Sequence, residues 1–287
     1  MCNIFSVKNV SYKDLLKDLL PKEVVERLPR SFDIIGDIAV IRLSDDLLIY
    51  SEYISKALMS VHKNIRSVFA KKSVSGLYRV SELIHIGGEY KTETVYKEND
   101  IKFVVDIKRM FINTRMSTER NRIANMINDG EKILDLFAGY GAFSLNIAKN
   151  RDVYIIASDI NDVAIEYMRR SIYMNKLKGS IDCLISEASH LAKSLKENFF
   201  DVIIMDNPTM IYSFIDLVPR LLREDGRAYI YVLDEDTKRI YEKASELNMR
   251  VKYCVTVREY SPSKNIFRCE LQLKASPFRA GMNRKDL

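Results

Sequence analysis

The chain has 287 residues, 47% apolar and 29% charged, so it can bury a sizeable core, reads as folded rather than disordered, and fits two domains or one domain with an appendage. It contains no run of eighteen apolar residues, and Met1-Cys2-Asn3 leads into no apolar signal core, which argues against a membrane span or secretion and makes the cytoplasm the expected location. A formal net charge of +6 leans only mildly toward polyanions, and Cys2, Cys183, Cys254 and Cys269 form no Cys-x-x-Cys pair, so buried free thiols are expected rather than zinc or a disulfide framework.

Residues 11 to 28 read as one or two short helices, with Leu15, Leu16, Leu19 and Leu20 on one stripe, Pro21 interrupting and Pro29 closing. A small α/β unit follows. Ile34 to Leu43 alternates like a strand, Leu47 to His62 has helical spacing, and Ile65 to Phe69 returns as a strand. Residues 92 to 97 and 101 to 106 form an expected hairpin turning at Asn99-Asp100, both tolerant of positive φ. After a helix near 117 to 128, strand and helix patterns alternate: 131 to 136, 142 to 149, 153 to 158, 162 to 175, 181 to 185, 201 to 205, 211 to 223 and 227 to 232. Such alternation predicts βαβ units and a doubly wound, mostly parallel sheet. Residues 250 to 274 add two strands around Tyr260-Ser261-Pro262, and a basic tail follows. The expected divisions are a helical segment 1–29, a small α/β domain 30–106 for RNA or substrate recognition, a catalytic domain 107–275 and the tail 276–287.

The most informative run is residues 133 to 144, where an apolar strand enters a glycine turn, and the next strand ends in Asp159, twenty residues after Gly139. Gly139 and Gly141 permit a tight bend and close approach to a ligand, while Asp159 can accept from both ribose hydroxyls of an adenosine moiety. The third glycine of a dinucleotide fingerprint is replaced by Ser144, and Asp135 precedes the turn with a carboxylate that suits a cation rather than a phosphate. The pattern Asp-x-Phe-x-Gly-x-Gly-x-Phe of Asp135 to Phe143 resembles motif I of class I S-adenosylmethionine (SAM) methyltransferases, whose cofactor carries a sulfonium and an ammonium. A glycine turn without ligand is the alternative.

In a doubly wound sheet ligands gather outside the carboxyl ends of the strands. Glu187 ends the third strand, where such enzymes place an acidic or amide group near the adenine, although a solvated loop carboxylate accounts for it equally. The fourth strand ends in Asp206-Asn207-Pro208-Thr209, which resembles the substrate-side lip of SAM enzymes that methylate nitrogen in planar amides and bases; a strand-ending turn is the alternative. His62, His85 and His190 show no metal spacing, and His190 reads as loop. Lys63, Arg66, Lys71 and Lys72 beside Phe69, Tyr78 and Tyr90 form a weak signal for phosphate contacts and base stacking.

A more specific resemblance comes from several motifs in one order: Ser31 to Asp37, Tyr78 to Leu83, Gly87-Gly88-Glu89, Asp106-Ile107, Arg115 to Arg120 and Asp135 to Phe143. Together they are similar to the archaeal and eukaryotic tRNA (guanine-N1)-methyltransferase family, which modifies the guanosine 3′ of the anticodon at position 37. The resemblance spans about residues 30 to 274 and makes this a short or divergent member, expected to lack the extra N-terminal domain by which longer members inspect the tRNA elbow. It implies a class I methyltransferase Rossmann-like α/β fold with a small N-terminal α/β domain, SAM as cofactor and tRNA as partner. No protein partner, membrane or metal is implied, and a monomer is expected.

The reaction requires the guanine N1 proton to leave while negative charge gathers on O6. The resemblance assigns the base to Glu119 and the cation to Arg79. An ion pair between Glu119 and Arg115 on one helix face is the alternative for the glutamate. The family's Ser-Pro-Arg is Asn113-Thr114-Arg115 here, and its Asn-Leu-Pro lip is Asp206-Asn207-Pro208, so Asp206 aligns with the catalytic asparagine and Asn207 reaches it by a one-residue shift. The resemblance further implies Asp135, Phe137, Gly139, Gly141, Asp159, Ile160, Glu187 and Asp206 against the cofactor, and Arg79, Arg115, Pro208, Tyr260 and Pro262 against the substrate. Aminocarboxypropyl transfer in the related wybutosine pathway and a non-catalytic tRNA-binding paralogue are the competing readings; the retained Arg115 opposes the first.

Overall fold

A computed structural model describes residues 10–75 and 80–274. The chain divides into two compact units, Met1–Arg115 and Met116–Leu287.

In the N-terminal unit, α1 (Lys22–Arg27) follows Pro21, whose fixed φ suits a helix start. Of the expected leucine stripe only Leu16 and Leu20 are buried, together with Tyr12, Val25 and Leu28; Leu15 and Leu19 face outward because residues 14 to 16 form a single 3-10 turn rather than a continuous helix. The run expected as one strand is a hairpin, β1 (Asp33–Ile35) and β2 (Ile38–Arg42), because Gly36 takes a φ of +59° and folds the chain back. Helix α2 (Ser51–Val61) buries Ile54, Ala57 and Leu58 and crosses to β3 (Ser67–Ser75), which pairs parallel with β2. Antiparallel β4 (Val80–Gly88) completes the order β1-β2-β3-β4. The hairpin of β5 (Glu93–Glu98) and β6 (Ile101–Asp106) turns at Asn99 and Asp100, whose φ values are 48° and 61°. Phe69 is fully buried, which removes it from the expected stacking group, while the exposed Lys72 pairs with Asp45 at 2.8 Å. Tyr78 and Arg79 lie outside the described residues.

The C-terminal unit opens with α3 (Ser117–Met126). The parallel strands are β7 (Lys132–Asp135), β8 (Tyr154–Asp159), β9 (Ser180–Ile185), β10 (Phe200–Met205) and β11 (Leu222–Asp234). Between them run α4 (Ala142–Asn150), α5 (Asp162–Tyr173), α6 (Ala188–Ser194) and α7 (Val218–Leu221), and α8 (Lys238–Glu246) leads to antiparallel β12 (Met249–Ser261) and β13 (Lys264–Leu273). The sheet order is β12-β13-β11-β10-β7-β8-β9. Because β8 and β9 lie on one side of β7 and β10 and β11 on the other, the topological switch falls between β7 and β10.

Residues α6, α7 and α8 contribute (Leu191, Val218, Leu221, Ile240) share one core with Leu134, Ile203, Met205, Ala228 and Ile230 of the sheet. On the strands, successive side chains alternate between faces, so Tyr229 and Tyr231 of β11 and Arg268 and Glu270 of β13 point away from that core. The long helix expected over 211 to 223 is instead two 3-10 turns and the four-residue α7, since Pro219 supplies no N–H and tolerates only the first helical turn. His190 lies within α6 rather than in a loop. Cys254 and Cys269 are register partners on β12 and β13 and form a disulfide, overturning the expectation of free thiols there; Cys183 is free, with its thiol pushed up to about 11 by burial. The adjacency of two strands far from any Cys-x-x-Cys spacing is invisible in the linear sequence. Among the described residues no helix is long and apolar enough to cross a membrane, and no cluster of His, Cys, Asp or Glu has the makings of a metal site.

Candidate active site

Asp135 closes β7 at the switch point. It is 1% exposed; Ser144 Oγ donates to Oδ2 at 2.7 Å, and Oδ1 has no hydrogen-bond partner. Burial, reinforced by the neighbouring Asp206 and Asp159 carboxylates, pushes its carboxyl up to about 7 against the pull of the Ser144 hydroxyl. An unpartnered carboxylate oxygen in such a place suits a ligand that brings its own cation and donors.

The turn after β7 takes its shape from two glycines with different tasks. Gly139, at φ +54°, has open space where a Cβ would stand, and its N–H donates to Asp159 Oδ2 at 2.8 Å. Gly141, at φ +85°, precedes α4, and a Cβ there would lie 2.6 Å from Leu145 Cδ1 and Met168 Cγ. The first glycine leaves room beside the turn; the second lets α4 pack against α5. Asp159 receives the Asn161 N–H on Oδ1 at 2.9 Å, so both oxygens are oriented by backbone, and each keeps a lone pair to accept from a hydroxyl. Burial raises its carboxyl while these amides oppose the rise. Asn161 caps α5 through Val163 and Ala164, holding the turn in which Ile160 is 39% exposed. Phe137 is half-buried against Phe214, edge to face at 5.1 Å.

Glu187 caps α6, its Oε2 accepting from His190 N at 2.9 Å, so its carboxylate has a local structural task. At the end of β10, Asp206 and Asn207 are half-buried and Pro208 is buried; the Leu233 N–H donates to Pro208 O at 3.1 Å, tying this lip to the end of β11. Since Ile204 is the register partner of Asp135, Asp206 stands just beyond it on the other flank of the switch point. Tyr260 and Pro262 fall at the tip of the β12/β13 hairpin, at the edge where Asp234 ends β11.

Glu119 is the largest surprise. Helix α3 buries a stripe of Met116, Glu119, Arg120, Ile123, Ala124 and Ile127, and the glutamate sits in that stripe at 4% exposure. Oε1 accepts from Arg268 Nη1 at 2.6 Å and Tyr231 Oη at 3.0 Å; Oε2 accepts from Arg122 Nη1 at 2.9 Å. Arg115, the partner in the alternative reading of Glu119, instead donates twice to Asp33 Oδ1, at 3.1 and 3.0 Å. The far end of α3 is held by Arg227, which donates to both oxygens of Glu131 at 2.8 and 2.9 Å and to Met126 O at 2.8 Å. Sequence reasoning missed Tyr231, Arg268 and Arg227. The signal was there in form: Tyr229-x-Tyr231 and Arg268-x-Glu270 place polar groups at every second position of otherwise apolar strands.

Within the C-terminal unit the structure therefore brings Asp135, Gly139, Asp159 and Asp206 to one strand-end crevice, and builds Glu119 into a buried polar cluster on α3, β11 and β13. The sequence model of the TRM5/TYW2 methyltransferase domain matches residues 94–261.

The chain belongs to the TRM5/TYW2 methyltransferase family.

A TYW2 N-terminal domain matches residues 12–92 of this TRM5/TYW2 chain. The tRNA (guanine(37)-N(1))-methyltransferase Trm5b of Pyrococcus abyssi is 34% identical over 262 residues, 88% of this chain and 77% of that protein. Trm5b of Methanocaldococcus jannaschii is 30% identical over 93% of this chain and 78% of its own length. Among solved structures, wild-type Trm5b from P. abyssi superposes with a TM-score of 0.79 at 30% identity, covering 88% and 78% of the two chains. A complex of aTrm5 with tRNALeu gives 0.81 at 28% identity, covering 93% and 79%. The class I methyltransferase fold expected from the sequence is the fold of these TRM5 relatives.

Proposed function

We propose that the protein transfers a methyl group from SAM to N1 of guanosine 37 of tRNA, beside the anticodon. The observation that carries the reading is a carboxylate buried at 4% exposure, Glu119, in a chain whose relatives are named for that reaction. SAM supplies an electrophilic methyl on a sulfonium, together with an ammonium and a ribose. Asp135 Oδ1, unpartnered and buried, meets the ammonium; Asp159 accepts from the ribose hydroxyls; the space beside Gly139 admits the cofactor against the turn. Phe137, Ile160 and Glu187 border the nucleoside.

On the substrate side, N1 of guanine attacks only as its proton leaves. Glu119 takes that proton, and Arg79 steadies the charge that gathers on O6. Asp206 and Asn207 accept from the exocyclic amino group of the flipped base, with Pro208 fixing the lip, and Arg115, Tyr260 and Pro262 are assigned to substrate binding. In the same proposal residues 30–106 recognise RNA, residues 107–275 carry the chemistry, residues 276–287 form the basic tail, and the enzyme works as a cytoplasmic monomer.

Nucleoside mass spectrometry at position 37, after incubating the protein with tRNA and methyl-labelled SAM, tests the reading. The expected product is labelled 1-methylguanosine, absent when guanosine 37 is replaced by adenosine. The match of residues 12–92 to a TYW2 N-terminal domain favours one second reading, transfer of the aminocarboxypropyl group to the same nucleoside. That product, or none, would overturn methyl transfer.

A further inference from the structure

Tyr231 and Arg268 are register partners on β11 and β13, so they stand side by side on one face of the sheet. Both donate to one oxygen of Glu119, Oε1, while the other, Oε2, accepts from Arg122, whose side chain is 51% exposed. The geometry points to Tyr231 and Arg268 as the positioning residues of the proton acceptor: they hold Glu119 through Oε1 and leave Oε2 as the oxygen that takes the guanine N1 proton. The assignment rests on Glu119 being the base, as proposed above.

Three observations set this arrangement apart from a buried ion pair that merely holds α3 in place. The two oxygens are unequal. Oε1 carries two donors from buried residues, which occupies its lone pairs, whereas Oε2 is bound by one half-exposed arginine that water competes for. The clamp is also rigid: Arg268 is 3% exposed, with the Tyr229 and Tyr253 rings 5.9 and 5.7 Å from its guanidinium carbon, and the fully buried Tyr231 ring lies 5.4 Å from that of Phe143, which follows the glycine turn. Finally, Tyr231 stays a donor throughout the working range, because burial and then the Glu119 and Asp206 carboxylates push its phenol well above the ordinary value. Burial opposes the Arg268 charge, but Glu119 and Tyr231 outweigh it and hold the guanidinium protonated.

The balance of the step follows. As the N1–H bond breaks, its electron pair makes the bond from N1 to the methyl carbon, the methyl–sulfur bond breaks and the cofactor leaves as a neutral thioether that keeps that pair; the proton passes to Oε2, and Oε1 of the acid still accepts from Arg268 and Tyr231. Loss of that proton to solvent restores the carboxylate and its ion pair with Arg122.

Single-turnover methyl transfer at saturating SAM and tRNA, with SAM affinity measured by calorimetry, tests the assignment in the full chain. Tyr231→Phe, which removes one hydroxyl and keeps the ring, is expected to slow transfer by about 10-fold, and Arg268→Met by about 10²-fold to 10³-fold, with SAM affinity unchanged within about 2-fold. Arg268→Lys keeps the charge and restores part of the rate. Where Arg268→Met leaves too little folded protein, Tyr231→Phe and Arg268→Lys decide. In a Glu119→Gln background neither substitution is expected to cost more than about 2-fold further, because groups acting through one residue are non-additive. Undiminished, multiplicative losses in that background, or a folded Tyr231→Phe variant at parental rate, would overturn the positioning role while leaving Glu119 as base. A Glu119→Gln variant at parental rate overturns both.

Discussion

Asp135→Asn separates what the fold wants from what the cofactor wants. The carboxyl is held up at about 7 in the folded chain against 3.8 in the open chain. Its folded value is the higher one, so its contribution to stability is full below about 4 and is lost as pH rises through about 7. A difference of about 3 pH units at roughly 1.4 kcal/mol each makes the loss on the order of 4 kcal/mol well above pH 7, an upper figure because water entry softens it. Asparagine does not ionise and escapes that loss. Its oxygen can still accept from Ser144, but its amide points at the site of the unpartnered Oδ1 and costs about 1 to 3 kcal/mol. The cofactor-free variant should therefore be less stable than the parent at pH 3.5 by about 1 to 3 kcal/mol, close to it near pH 5, and more stable at pH 8.5 by about 1 to 3 kcal/mol. Thermal unfolding across that range checks it, and curves that run parallel without crossing would refute the assignment of the titration to Asp135. Calorimetry supplies the second half. SAM binding to the parent should release a proton below pH 7 and weaken by up to about 10-fold per pH unit there, whereas Asp135→Asn should bind weakly with little pH dependence.

The two glycines of the turn give opposite signatures: Gly141→Ala meets Leu145 and Met168 and should lose about 2 to 4 kcal/mol of stability, while Gly139→Ala should lose about 1 to 2 kcal/mol by denaturant unfolding yet bind SAM far more weakly. Asp159→Ala should weaken SAM by about 1 to 3 kcal/mol in a titration, with unchanged affinity counting against its role at the ribose. Arg227→Met strands the largely buried Glu131 and frees the end of α3, so unfolding should come about 2 to 4 kcal/mol earlier while SAM affinity holds; a stable variant would show that α3 is anchored elsewhere.

The parts of this protein legible in its sequence are those written in local chemistry. The alternation from residue 131 onward gave the doubly wound sheet, the Asp135 to Gly141 run gave the turn, and Asn99-Asp100 gave a hairpin, because strand period and positive-φ tolerance act within a few residues. Gly36 was passed over inside an apolar run, and Pro219 inside a helical one, where a single residue outweighed the pattern around it. The disulfide and the partners of Glu119 were hidden for a different reason. Cys254 and Cys269, like Tyr231 and Arg268, meet only because two strands pair in one register, and nothing in either segment alone fixes that register. Arg79 falls outside the described residues, so its part in the reading stays with the resemblance.

Arg268 reaches Glu119 across 149 residues of intervening chain. During synthesis the residues proposed to face SAM, from Asp135 to Asp206, leave the ribosome before β13 does, so Glu119 waits for its cation until the end of the chain is made. A carboxylate buried without its cation opposes close packing of the helix that carries it. On the proposed reading the clamp on Glu119 is thus the last part of the site to be made, since β13 is both the final strand of the chain and the neighbour of β11 in the sheet.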